Sequence, residues 1–269
     1  MGETLKLLAI FPHPDDETMG LGSTMARYSA EGVETYLVCA THGERGWFDS
    51  EGPNPGWEEV AKIRTEELKQ AADHLGILEV NFLDYIDGDV DQADPKEITS
   101  KLVSHIRRIK PHVVVTFGPD GVYGHPDHIA LSQFTIGALV CAADSNYVDE
   151  KQLAPHRVQK LYYMVDSTDL VGAANEAFGG ISMDIDGVTR HHRGWEDWQI
   201  TTRLDNSKYM NKVQKAIRAH KSQLPGYGPI AEWSRDELNK VFGVGSYYRA
   251  FSLVNGGRKV EADLFEGLG

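Results

Sequence analysis

The chain has 269 residues, 41% hydrophobic and 25% charged, the balance of a globular protein long enough to bury its own core without staples. Its 27 Lys and Arg against 40 Asp and Glu leave a formal charge of −13, which argues against a nucleic-acid partner and suits a cation held by carboxylates. Cys39 and Cys141 lie in apolar runs and make no disulfide framework, no run reaches the ~20 apolar residues of a membrane span, and the first residues do not read as a signal peptide; a cytoplasmic setting is expected.

The first half alternates short apolar runs with helical patterns. Leu5 to Phe11 reads as a buried strand, followed by a helix from about Thr18 to Ala30 and a second strand from Glu34 to Ala40. Leu68, Ala71, Ala72 and Leu75 repeat at helical spacing, with Gly76 as the stop. Strands are expected over Glu79–Leu83 and His112–Phe117, with a helix over Pro95–Ile109 between them and another from Pro126 to about Ala143. This rhythm predicts an α/β fold, a Rossmann-like, mostly parallel sheet with helices on both faces. After Asp144 the rhythm changes. Lys160–Val165 reads as a strand, the stretch from Asp166 to about Asp205 as irregular, and Gly245–Val254 as a final strand. Between them Tyr209, Val213, Ala216, Ile217 and His220 form one helical stripe that ends at Pro225-Gly226. The expected organisation is one domain over residues 1–269, with a core over 1–143 and a variable, substrate-shaping portion over 144–269.

The chemistry-bearing residues fall at strand ends. The first strand runs directly into His13-Pro14-Asp15-Asp16-Glu17, and ligands of open α/β sheets bind at the carboxyl ends of strands. One imidazole and three carboxyls in five residues are costly there unless a positive charge compensates them; a solvated acidic loop capping the next helix is the plainer alternative. Gly20-Leu21-Gly22 does not make a dinucleotide loop, because Met25 stands where the third glycine belongs and the carboxylates would repel a pyrophosphate. The strand at His112–Phe117 leads into a second cluster, Gly124-His125-Pro126-Asp127-His128, with Pro126 suited to a first helical turn and His125 to its N-cap. His125 and His128 then share a face, and His13, Asp16 and His128 supply two imidazoles and a carboxylate around a cation, a three-ligand set with an open position.

The two motifs together resemble the LmbE-like (PIG-L) family of zinc-dependent N-acetylglucosaminyl deacetylases. The resemblance extends to Thr41-His42-Gly43-Glu44-Arg45-Gly46, to Arg64-Thr65-Glu66-Glu67-Leu68, to Asp87-Gly88 and to His220-Lys221-Ser222-Gln223. It implies that His13, Asp16 and His128 bind the metal and that Asp15 is the general base acting on a metal-activated water. It further implies that His125 stabilises the oxyanion or protonates the leaving amine, with Asp127 orienting its ring and favouring its protonated form. Zn2+ is the implied cofactor, and the two-His, one-Asp set also admits Fe2+.

Secondary residues have bland readings beside functional ones. Arg64 is expected to contact substrate, the alternative being a salt bridge with Glu67 or Asp87. Asp87 is read as a sugar-hydroxyl acceptor, Glu44 as a substrate contact or loop residue, and Tyr123 as an oxyanion contact or packing residue. His220 is read as a hydrogen-bonded core histidine, and Arg190-His191-His192-Arg193 as a surface or substrate loop rather than a second metal site. The implied function is removal of the N-acetyl group from a small N-acetylglucosamine-type sugar or conjugate. The alternatives are an amidase of a glucosamine–thiol conjugate, a non-catalytic metal- or sugar-binding module, and a phosphoester hydrolase; a homo-oligomer stays open.

Overall fold

Apolar runs such as Leu7-Leu8-Ala9-Ile10-Phe11 carry no polar residue toward either face, so a strand built from one must be covered on both sides. A computed structural model describes residues 4–48, 52–149, 151–178, 182–185, 187–257 and 259–268. In it β1 (Lys6–Phe11), β2 (Glu34–Thr41), β3 (Glu79–Tyr85), β4 (Val113–Phe117) and β5 (Lys160–Met164) run parallel. Two further strands, β8 (Thr202–Asp205) and β9 (Val244–Ser252), add antiparallel at one edge, giving the order β3-β2-β1-β4-β5-β9-β8. Ala9 of β1 lies opposite Leu37 of β2 and Val115 of β4.

Alternate residues of these strands feed two separate cores. Leu7, Ala9, Phe11, Val113 and Val115 pack with α2 (Gly22–Ala30), α3 (Trp57–Leu75) and α8 (Met210–Ala219). Leu8, Ile10, Val38 and Val114 pack with α4 (Pro95–Ile109) and α6 (Pro126–Ala143). The helices stop and start where their chemistry dictates. Gly76 closes α3 with φ 81°, a left-handed value that costs glycine little. Asp94 caps α4 by accepting the N–H groups of Lys96 and Glu97, with Pro95 in the first turn. Among the described residues no helix is long and apolar enough to cross a membrane.

The sequence reading departs from the structure in three places. The helix expected over Thr18–Ala30 is two, α1 (Asp16–Met19) and α2, separated at Gly20-Leu21, where the poorest ordinary helix former interrupts the run. The stretch Asp166–Asp205 is not irregular: it holds α7 (Thr168–Phe178), a hairpin of β6 (Ser182–Ile185) and β7 (Val188–His191), and β8. These pieces are short and largely exposed, so they carry little hydrophobic periodicity to read. The helix expected to run to Pro225 ends at Ala219, and residues 221–232 follow as tighter turns around Pro225 and Pro229.

The chain's end is tied to this sheet by a buried ionic cluster. Lys160, fully buried on β5, donates to Glu261 Oε1 (3.0 Å), to Tyr162 Oη (3.2 Å) and to the Glu266 carbonyl (2.6 Å). Tyr162 and Thr202 donate to Glu261 Oε2, and Arg249 pairs with Oε1, so the buried carboxylate is surrounded by donors.

Candidate metal centre

The strand order reverses between β1 and β4, and the loops leaving those two strands diverge there to leave a crevice. From β1 the turn Pro12–Asp16 folds back on itself: Asp16 Oδ2 accepts the backbone N–H of His13 at 2.8 Å. Asp15 has φ 132° and ψ −26°, a conformation side-chain-bearing residues rarely adopt, and Glu17 Oε2 holds it by accepting its N–H at 2.9 Å. From β4 the chain passes through α5 (Gly121–Gly124), kinked at Val122 with φ 67°, and reaches His125. His125 caps α6: its Nδ1 accepts the N–H of Asp127 at 3.1 Å, and Pro126 starts the helix. One turn on, the His128 ring stacks on Phe117 with centroids 4.1 Å apart and planes 3° from parallel.

These two turns bring His13, Asp16 and His128 together. His128 Nε2 lies 3.3 Å from His13 Nδ1 and 3.8 Å from Asp16 Oδ1, and His13 Nδ1 lies 3.5 Å from Asp16 Oδ2. Ligands on ~2.1 Å bonds in a tetrahedral site stand about 3.4 Å apart, so the donor set fits a divalent cation such as zinc. His13, Asp127 and His125 also converge within 4.8 Å. That second set is poorer, because both Asp127 oxygens already accept backbone N–H groups, Gly88 at 2.7 Å and Val90 at 3.1 Å, and His125 Nδ1 accepts another.

The electrostatics point the same way. Burial lowers the His13 pKa, but its hydrogen bonds to the carboxylates of Asp127, Asp16 and Asp87 outweigh it and hold the ring well above its ordinary value. Three carboxylates around one imidazole stabilise a positive charge at that spot. Burial raises both Asp15 and Asp16, the first opposed by Arg64, the second by His13. Burial and the neighbouring His13 depress His128. They also depress His125, to about 4.

Asp127 meets the His125 ring through its backbone N–H, while its carboxylate turns elsewhere. It is fully buried, and its Oδ2 lies 3.1 Å from His13 Nε2, the nitrogen opposite the one that faces Asp16 and His128. Asp87 Oδ1 lies 3.1 Å from the same nitrogen. Its carboxylate faces His13 rather than His125; the Asp127 charge still raises the His125 pKa as expected, but burial and His13 outweigh it and hold the ring low, at about 4. A nitrogen that accepts a hydrogen bond cannot carry the proton, so the neutral His125 ring bears its hydrogen on Nε2.

The remaining residues singled out in the sequence gather nearby. Arg64 is 4% exposed and donates to the carbonyls of Gly43 (2.9 Å) and Pro14 (2.6 Å) and to Asp15 Oδ2 (3.1 Å). Its ion-pair partner is thus neither Glu67 nor Asp87. A Cβ at Gly46 would stand 2.1 Å from the guanidinium, so only glycine lets it pass. Glu44 accepts the Asp87 N–H at 3.0 Å, bracing that loop. The Tyr123 ring sits 5.4 Å from that of His128 and 6.0 Å from that of His125. Arg190 reaches the Gly124 carbonyl at 3.3 Å from the hairpin. His220 is a core histidine as read, its Nε2 2.8 Å from the buried Glu17 Oε1. Sequence reasoning missed Tyr227, whose hydroxyl donates to Asp15 Oδ2 at 2.6 Å; nothing in Pro225-Gly226-Tyr227-Gly228-Pro229 marks it apart from turn chemistry.

The His/Asp cluster thus lies at the switch point of an α/β sheet, where ligands of such sheets bind. The family model "PIG-L: GlcNAc-PI de-N-acetylase" matches residues 8–139. A 1D-myo-inositol 2-acetamido-2-deoxy-alpha-D-glucopyranoside deacetylase of Streptomyces griseus subsp. griseus is 33% identical, covering 98% of this chain and 89% of its own. The protein of the same name from Thermobifida fusca is also 33% identical, covering 93% of each. The chain belongs to the PIG-L (LmbE-like) family. Among solved structures, an N,N'-diacetylchitobiose deacetylase from Pyrococcus horikoshii shares the fold with a TM-score of 0.69 at 23% identity, covering 92% of this chain and 84% of that one.

Proposed function

We propose that this chain is a zinc-dependent N-deacetylase that hydrolyses the acetamido group of a small N-acetylglucosamine-type sugar or conjugate, acting as one domain over residues 1–269 in the cytoplasm. The observation that carries this reading is the convergence of His13, Asp16 and His128 to 3.3–3.8 Å with Asp15 beside them. Relatives that are deacetylases of a 2-acetamido-2-deoxyglucopyranosyl inositol support the substrate class.

His13, Asp16 and His128 would hold the cation, which supplies Lewis acidity and makes water a nucleophile near neutral pH. Asp15 takes one proton from the attacking water and delivers it to the departing nitrogen, so acetic acid and the free amine leave, and at neutral pH the acid passes its remaining proton to the amine to give acetate and ammonium. Its pKa, raised by burial, suits a group that must both accept and return a proton. Neutral His125, its hydrogen on Nε2, donates to the oxyanion that forms from the acyl oxygen. Asp127 and Asp87 fix the His13 ring from behind. Arg64 acts as a positioning residue, holding Asp15 from within the fold rather than reaching the sugar. Asp87, Glu44 and Tyr123 line the approach where the sugar hydroxyls and the acyl oxygen bind.

The test is amine release from a panel of N-acetyl sugars, including the glucosaminyl inositol named above, by zinc-replete protein and its D15N variant. Acetate release by the wild type that drops at least about a thousandfold in D15N, with zinc retained, supports the reading. Zinc binding with no hydrolysis of any substrate makes the chain a binding module, and phosphate release from esters would reassign the chemistry.

A further inference from the structure

We infer that the segment following α8 supplies two positioning residues for Asp15: Tyr227 fixes its carboxylate, and His220, through Glu17, fixes its backbone. The inference deepens the proposed deacetylase reading and rests on Asp15 being the base. Tyr227 and Arg64 both donate to Oδ2 of Asp15, at 2.6 and 3.1 Å. Among the described residues no donor falls on Oδ1, so one oxygen is clamped and the other is kept for proton transfer.

The backbone is held as firmly. Asp15 keeps its left-handed φ of 132° only because its surroundings impose it. Its N–H is taken by Glu17 Oε2 at 2.9 Å, while Glu17 Oε1 accepts the Thr18 hydroxyl at 2.5 Å and faces His220 Nε2 at 2.8 Å. Glu17 and His220 are both fully buried, so this carboxylate cannot turn away to water. Neither Tyr227 nor His220 belongs to the cation cluster, and both come from a part of the chain more than 200 positions from Asp15. Burial and the Asp15 charge raise the Tyr227 pKa well above its usual value, so the hydroxyl stays a donor throughout the working pH range. The segment following α8 therefore completes the base from across the fold.

Zinc-loaded Y227F, H220L and H220Q are compared with wild type on the glucosaminyl inositol substrate, with zinc titration and thermal unfolding in parallel. In Y227F, kcat falls about tenfold, the effect of losing one hydrogen bond to a charged group, while KM and zinc affinity stay within about twofold. H220L falls similarly and H220Q, which can still donate to Glu17, recovers most of the rate. Unchanged kcat in folded Y227F, or a change confined to KM, overturns the inference. Should the wild type release no acetate, the functional reading fails. A crystal structure of Y227F then decides the positioning on its own: an Asp15 carboxylate turned from its wild-type rotamer supports it, and an unmoved one overturns it.

Discussion

Replacing Asp127 by Asn separates two roles for a carboxylate that the motif alone cannot tell apart. Three N–H donors converge on this fully buried group: Gly88 at 2.7 Å, Val90 at 3.1 Å and His13 Nε2 at 3.1 Å. An amide offers one oxygen and one NH2. If the NH2 takes the Oδ1 place it meets the Val90 N–H; in the Oδ2 place it meets Gly88 and His13. Either way a buried donor goes unsatisfied, at a cost of about 1–3 kcal/mol. That lowers the melting temperature by about 2–4 °C per kcal/mol. His13 also loses a charged partner on its far nitrogen, and changes of that kind weaken metal affinity about 10- to 100-fold. Calorimetric zinc titration of metal-free D127N, with melts of the same samples, reads both effects. Wild-type zinc affinity with kcat reduced tenfold or more would refute the assignment to His13 and return Asp127 to His125.

Two further predictions lie away from the centre. Burial, with Arg108 and Lys151 nearby, depresses His105 to about 4. A depressed histidine stabilises the fold above its unfolded pKa and loses that stability as pH falls toward the folded one, so the window is pH 6.5 to about 4. Between pH 7 and 5 this is about 1–2 kcal/mol after allowing for partial exposure, and H105Q should flatten that part of the urea-midpoint profile; parallel profiles would contradict it. K160M leaves Glu261 buried without its ammonium partner and should cost about 3 kcal/mol in denaturant unfolding. A loss below about 0.5 kcal/mol would mean that Arg249, with Tyr162, Thr202 and Asn255, satisfies the carboxylate without the lysine.

The sheet was legible because β1, β2 and β4 each hold a short apolar run, Leu7 to Phe11, Tyr36 to Ala40 and Val113 to Val115, between helical patterns, and the cation cluster because both of its motifs sit where such strands end. What stayed hidden has physical reasons. The β6–β7 hairpin buries too little to carry a period, Val188 being 57% exposed. That the Asp127 carboxylate also serves His13 was not legible, because the loop after β3, far off in sequence, supplies the two N–H groups that turn it there. Tyr227 and His220 reach Asp15 only through the packing of the α8 region on α1, a contact between segments some 200 positions apart.

Stoichiometric metal reconstitution tests the central claim most directly. Metal-free protein is titrated with zinc while acetate release from the glucosaminyl inositol is followed, with H128A beside it. Activity should rise linearly and saturate at about one equivalent, with H128A neither binding tightly nor turning over. Full activity in the presence of a chelator, or in H128A, would contradict the account.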